Sequence, residues 1–307
     1  MTPDLGGSTA PRRIAGTPGR RTGALKRHDR PNGEVAMDWK PVWVAMAAGG
    51  LILADPSLAP AQIDYRNLDD DRPTLIEDAY PVERYAFEFL TPWRFSRDRA
   101  GGTIHAFVPE LAYGILKNAQ LGLKLPIAGA SATNGREWGL SGLRVFALYN
   151  FNTEGRSLPA LSIRSDVTLP VGRLGGDGTR VSLKGITTRS WGRTRLHLNG
   201  AFTFGKDRPL AAAEAANKWW YGGAVDQTLF RQSVLLIGEV YALRPLASVP
   251  VQVNTSVGLR VQLTPYLVFD AGVARRLKRA AGPDLELTAG LSRAFALPGL
   301  MPSGRSR

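Results

Sequence analysis

The residues whose types and spacing invite chemistry are charged side chains embedded in stretches that alternate apolar and polar. Arg164 and Asp166 stand two apart among Leu161, Ile163, Ser165 and Val167, and Lys184 keeps the same rhythm beside Val181 and Leu183. Lys124, Arg144 and Arg195 are the further bases in such positions. Glu88, Glu110, Asp226, Glu239, Asp270 and Glu286 are the further acids. Acids and bases distributed this way pair across a wet interior and tune which solutes pass it.

Covalent chemistry has fewer candidates. A lipid hydrolase needs a Ser nucleophile beside a His base, and the chain holds three histidines, His28, His105 and His197. His28 precedes an export signal described below. His197 is in phase with the polar face, and His105 is out of phase with Glu110 and faces outward near one rim; neither has a Ser partner that sequence can assign. With two histidines left in the mature chain, a dedicated His-metal cluster is not expected. Cysteine is absent, which removes a thiol nucleophile and Cys-ligated zinc. Asp69, Asp70 and Asp71 are potential ligands for a divalent cation, but the expectation is a solvated charge run. Leu174 to Gly178 is Gly-rich, yet a strand follows it instead of the helix N-terminus that a phosphate cradle requires. No catalytic, cofactor-binding or metal residue is assigned, and no cofactor; an outer-membrane lipid hydrolase stays as the enzymatic alternative. Trp93, Tyr149, Trp219, Trp220 and Tyr221 serve either to stack a ligand or as an interfacial girdle.

The elements that must position the charged residues are strands. In Gln120 to Leu125, Leu121, Leu123 and Leu125 alternate with Gln120, Gly122 and Lys124, a period of two that a helix cannot use. The same pattern recurs twelve times, beginning near Arg84, Thr103, Ala119, Leu143, Ala160, Val181, Arg195, Trp219, Val234, Val251, Leu267 and Leu285. Connections alternate short and long, with a long polar loop expected at residues 127–138 and the longest, carrying a possible short helix, at 205–218. Segments of about ten residues with short turns at one end and long loops at the other match an outer-membrane barrel. The fold class read here is all-β, a transmembrane antiparallel up-and-down barrel of about twelve strands. A soluble sandwich or lipocalin-like barrel would bury its apolar face inward, leaving these charges outside; a barrel with leucines toward lipid suits them better.

Around the barrel at 83–295, four further segments are expected. Residues 37–61 form a signal peptide, with Lys40, the apolar run Val42 to Leu53 and Ala59-Pro60-Ala61 before Gln62. Residues 1–36 are a mis-assigned upstream extension or a disordered one. Residues 62–82 are a periplasmic lead-in, and 296–307 a tail. The net charge is +13, of which eight bases and five acids fall in residues 1–61. The surplus makes acidic membrane lipid, lipopolysaccharide above all, the expected partner in preference to nucleic acid. Its contacts would be the loop bases Arg97, Arg99, Arg136, Arg173, Lys206, Arg208, Arg244, Arg275, Arg276, Lys278 and Arg279. The outer-membrane assembly machinery and a small-molecule solute complete the expected partners.

Several motifs resemble those of a bacterial outer-membrane barrel family labelled MetA-pathway of phenol degradation. They are Arg72-Pro73-Thr74-Leu75-Ile76-Glu77-Asp78-Ala79-Tyr80-Pro81, Pro109-Glu110-Leu111-Ala112-Tyr113-Gly114, Val167-Thr168-Leu169-Pro170, Glu239-Val240-Tyr241 and Leu287-Thr288-Ala289-Gly290-Leu291. The resemblance spans residues 72 to 295 and implies a Gram-negative outer-membrane channel for small, including aromatic, solutes. A non-conducting structural barrel is the alternative. The chain departs from the family at its end, where twelve residues follow Phe295 in place of a terminal aromatic.

Overall fold

The computed structural model describes residues 59–99, 101–132, 135–205, 217–230, 233–246, 250–278 and 283–301. Among these residues, twelve antiparallel strands close into a barrel. Each of the first four is broken once: β1 (Ala86–Leu90 and Trp93–Arg97), β2 (Thr103–Phe107 and Glu110–Leu116), β3 (Ala119–Lys124 and Ile127–Ala132) and β4 (Gly135–Leu140 and Leu143–Asn152). The other eight are continuous: β5 (Ala160–Leu169), β6 (Arg180–Trp191), β7 (Thr194–Gly205), β8 (Lys218–Leu229), β9 (Val234–Pro245), β10 (Gln252–Thr264), β11 (Leu267–Arg276) and β12 (Leu285–Ala296). β12 closes on both halves of β1, through Ala294 opposite Glu88 and Ala289 opposite Trp93. A two-residue strand, Ala59–Pro60, pairs with the last residues of β12.

The breaks in β1 to β3 share one cause. Pro92, Pro109 and Pro126 fall side by side across three strands, and a proline cannot donate to the ladder. Each proline carbonyl still accepts from the next strand, at 3.0 Å from Val108 N, 2.9 Å from Leu125 N and 2.9 Å from Ser141 N. In β4 the row ends at Gly142, whose φ of 120° a side chain would resist.

The long polar loop expected at 127–138 is instead strand. Ile127 pairs with Leu140 and Ala132 with Gly135, which makes a tight hairpin. Gly129, Ala130, Ser131 and Ala132 carry no hydrophobic period to read, and their pairing is imposed by β2, where Thr103 faces Ser131. The Gly-rich stretch between β5 and β6 is a loop, as expected. The expected signal peptide up to residue 58, most of the 205–218 connection, and Lys206, Arg208 and Arg279 lie outside the described residues.

The two faces of the wall follow the alternation. In β5, Ile163 is 42% exposed while Arg164 is 1% exposed, and Leu121, Leu183, Leu198 and Leu236 share the outward face. An apolar outer surface with charges within is stable only where the outside solvent is hydrocarbon. Leu161→Arg is therefore expected to lower stability, by less than the about 2–4 kcal/mol of a midplane arginine because Leu161 lies beside the β4–β5 turn. Equilibrium unfolding in lipid vesicles checks this; equal stability of Leu161→Arg and Leu161→Ala would turn the wall inside out.

Candidate functional site

The barrel interior is occupied by the chain itself. Residues 63–82, expected as a lead-in outside the barrel, run within it. The segment enters at the end bearing the short turns, where Ile63 N donates to Pro265 O at 3.0 Å. It leaves at the same end, where Val82 N donates to Gln120 Oε1 at 2.6 Å and β1 begins. Lacking a strand neighbour, such a segment must satisfy its backbone through side chains. Leu75 N and Ile76 N each donate to the Glu239 carboxylate at 2.9 Å, which Ser256 Oγ also approaches at 2.7 Å. Asn199 bonds both polar groups of the Glu77 backbone, accepting from its N at 2.9 Å and donating to its O at 2.8 Å. Ala79 N donates to Thr188 Oγ1 at 3.0 Å, and Asn150 Nδ2 donates to Ala79 O at 2.8 Å.

The three aspartates are half-buried and held by ion pairs with the barrel's bases, in place of the solvated run expected. Lys184 Nζ lies 2.8 Å from Asp70, and Lys124 Nζ lies 3.4 Å from it. Arg94 Nη2 reaches Asp71 at 3.3 Å, and Arg144 Nη1 stands 3.5 Å from both Asp70 and Asp71. Asp69 bridges Arg72 at 3.1 Å and Arg260 at 3.2 Å. Among the described residues no group of His, Asp and Glu is set to hold a metal ion.

The structure gathers most of the charged residues read from sequence around this segment. Arg164 binds Glu77 at 2.5 Å and Asp166 at 3.0 Å, while Lys184 reaches Glu77 at 3.1 Å and Glu110 pairs with Lys124 at 2.8 Å. Arg195 joins Asp78 at 3.1 Å to Asp226 at 2.7 Å and donates to the Arg66 carbonyl. Arg72 pairs with Asp270 at 2.8 Å and has Glu88 at 4.0 Å on its other side. Glu286 stands apart, accepting from Ser96 Oγ at 3.0 Å. The residues missed are Arg94, Arg260 and the acids of the segment. Arg260 was legible: it continues the polar run Gln252, Asn254, Ser256 and Gly258 by one more step of two.

His197 completes a hydroxyl–imidazole–carboxylate row, with Thr188 Oγ1 3.0 Å from Nδ1 and Asp226 Oδ2 2.9 Å from Nε2. All three side chains are buried, and the Thr188 oxygen already accepts from Ala79 N, so the row fastens the segment. His105 packs among Phe95, Trp93 and Trp138 with ring centroids 5.0 to 6.3 Å apart.

Small residues make room for the segment. A Cβ on Gly272 would stand 2.5 Å from the Pro73 carbonyl oxygen, and one on Gly258 would stand 2.7 Å from the Pro73 ring. The root of the segment is apolar: Ile63, Tyr65, Leu68 and Ile76 pack on Ala224, Leu235, Ile237, Val268 and Ala294. Its tip, Asp70 to Leu75, forms the floor of a cavity of about 260 Å³ that opens at the end bearing the long loops. A second cavity, of about 370 Å³, lies at the turn end beside Gln62 to Asn67 and Tyr80 to Glu83.

A known structure with this arrangement of strands is an outer membrane channel from Pseudomonas putida F1. The two superpose with a TM-score of 0.56 and 14% identity over 75% of this chain and all of that one. The fold is that of an outer-membrane β-barrel. The KdgM porin superposes less well, with a TM-score of 0.47 and 10% identity over 68% of this chain and 98% of the porin. No protein-family model and no curated protein matches the sequence. The barrel implied by the family resemblance is thus present, together with an internal segment on which periodicity is silent.

Proposed function

We propose that this barrel is a passive outer-membrane channel for small solutes, held closed by its own residues 63–82. The observation that carries the reading is the chemistry of the filling. The tip of this segment is fixed to the wall by ion pairs and by side-chain bonds to its backbone, contacts that water and solute can replace once it moves. The apolar root keeps the segment attached while the tip exchanges. The fold shared with an outer membrane channel supports the same reading. Acids and bases that pair with one another leave no uniform ring of one sign, so strong ion selectivity is not expected of the open pore.

Residues 62–307, refolded and placed in planar bilayers, are expected to show a low-conductance resting state interrupted by larger openings. Absence of any step in the wild type and in a variant with Asp70 and Asp71 both changed to asparagine would establish the second reading, a non-conducting barrel, which the filled interior also favours. Lipopolysaccharide is the partner proposed for the loop bases. Two of them are partly engaged already, since Asp284 accepts from Arg276 at 3.1 Å and from Arg99 at 3.2 Å.

A further inference from the structure

We propose that the outer wall of β11, β12 and β1 to β4, at the loop end, seats one bisphosphorylated glycolipid, the lipid A part of lipopolysaccharide. The inference rests on the lipopolysaccharide reading above and gives that partner a single place on the wall.

The strand register builds the place in rows. Arg275, Leu285, Arg97, Thr103, Ser131 and Arg136 stand each opposite the next across six strands. Two residues nearer the turn end, Phe95, His105, Gly129 and Trp138 form the row beneath, and Trp93, Phe107, Ile127 and Leu140 the row beneath that. These rows belong to the lipid face: Val273 is 45% exposed and Trp93 is 38% exposed, and alternation by two carries Arg275 and Arg97 onto the same side. From the membrane outward the wall is thus apolar, then aromatic, then cationic, the order of acyl chain, interface and headgroup in the outer leaflet.

The arginines are available. Arg97 and Arg275 are both exposed, and neither pairs with a carboxylate among the described residues. The acids of the two adjoining loops are engaged elsewhere: Asp284 with Arg276 at 3.1 Å and Arg99 at 3.2 Å, and Asp98 with the Gly102 N at 2.8 Å. From Arg275 through Arg97 to Arg136 the row covers five strand spacings, about 24 Å. Bases spread so widely match a headgroup with a phosphate at each end better than a headgroup with one.

The row of rings adds a polar group. A Cβ on Gly129 would stand 2.2 Å from the Trp138 indole, so that ring lies flat on the wall there. His105 lies beside it, with ring centroids 6.3 Å apart, and beside Phe95 at 5.0 Å. In either charge state its imidazole can donate an N–H to a phosphate or an acyl amide just beneath the arginines. A girdle alone accounts for rings such as Phe202, Phe204 and Trp219 on β7 and β8, but not for an imidazole below a row of arginines.

The test counts lipid bound to refolded residues 62–307 in detergent micelles by native mass spectrometry, with bisphosphoryl lipid A, monophosphoryl lipid A and phosphatidylglycerol as probes. The wild type is expected to hold one bisphosphoryl lipid A at least about tenfold more tightly than either other lipid, the size of one charge-assisted contact. Arg97→Gln with Arg275→Gln should abolish that preference. His105→Phe, which keeps a ring and loses the N–H, should weaken bisphosphoryl lipid A by about three- to tenfold. Equal binding of the two lipid A forms by the wild type, or a preference intact in the double variant, overturns the proposal; the wild-type comparison needs no variant to fold. If Arg244→Gln with Lys278→Gln removes the preference and the double variant keeps it, lipopolysaccharide stays the partner and this place on the wall is wrong. If lipid A binds no better than phosphatidylglycerol, the lipopolysaccharide reading itself falls.

Discussion

Arg164→Glu is expected to open the barrel without unfolding it. Arg164 is 1% exposed and binds Glu77 of the inner segment at 2.5 Å and Asp166 of its own strand at 3.0 Å, with Asp70 at 3.8 Å. Its guanidinium also lies 3.9 Å from the centre of the Phe146 ring. A glutamate here leaves Glu77, Asp166 and Asp70 facing a fourth carboxylate in a confined space. Removing one partner of a buried ion pair costs about 3–5 kcal/mol, because the other charge remains buried and unpaired. The barrel can escape that cost by releasing the segment, since its ladder and outer face are untouched. At about 1.4 kcal/mol per factor of ten, the closed-to-open ratio falls by about two to three and a half orders of magnitude. Single-channel recording should show the openings become the dominant state, while the folded barrel keeps its gel mobility without heating. If Arg164→Glu unfolds as readily as Leu161→Arg, the charge holds the wall together and not the segment.

Gly272→Leu should produce the same opening by shape alone. Its Cβ would lie 2.5 Å from the Pro73 carbonyl oxygen, closer than real contacts allow, and 2.9 Å from the Thr288 hydroxyl. Thr288 Oγ1 donates to that carbonyl at 3.1 Å, so the position of Pro73 is defined from two sides. A backbone oxygen cannot rotate away as a flexible side chain can, so the Arg72–Pro73 stretch must leave its seat. The 2.8 Å pair between Arg72 and Asp270 separates with it. The strand itself loses nothing, since a side chain suits extended backbone better than glycine does. The chain has no cysteine, which makes a single Thr74→Cys a clean reporter. Thr74 is 3% exposed, so a water-soluble maleimide should label that cysteine slowly in the parent and at least about tenfold faster beside Gly272→Leu, a shift of about 1.4 kcal/mol in the docking equilibrium. Unchanged labelling would mean that the segment accommodates the larger side chain in place.

The wall of the barrel was legible in the sequence because side-chain direction in a strand is a local property. Successive side chains point to opposite faces whatever the rest of the chain does, so Leu161 and Ile163 against Ser162 and Arg164 fixed both the strand and its inner face. The hairpin at 127–138 escaped because its small residues have no apolar stripe to mark it, and its pairing comes from a neighbouring strand.

Residues 63–82 were not legible for a stronger reason. Much of their backbone is satisfied by side chains far along the chain, such as Gln120 for Val82, 38 positions away, and Glu239 for Leu75, 164 positions away, so no short-range period records them. A run such as Asp69-Asp70-Asp71 reads the same in water as it does among Lys124, Arg144 and Lys184. The sequence alone determined that acids and bases would share the interior; the tertiary structure decided that many of those pairs are made with the chain's own first segment, because only closing the barrel brings strands β1 to β12 around one axis.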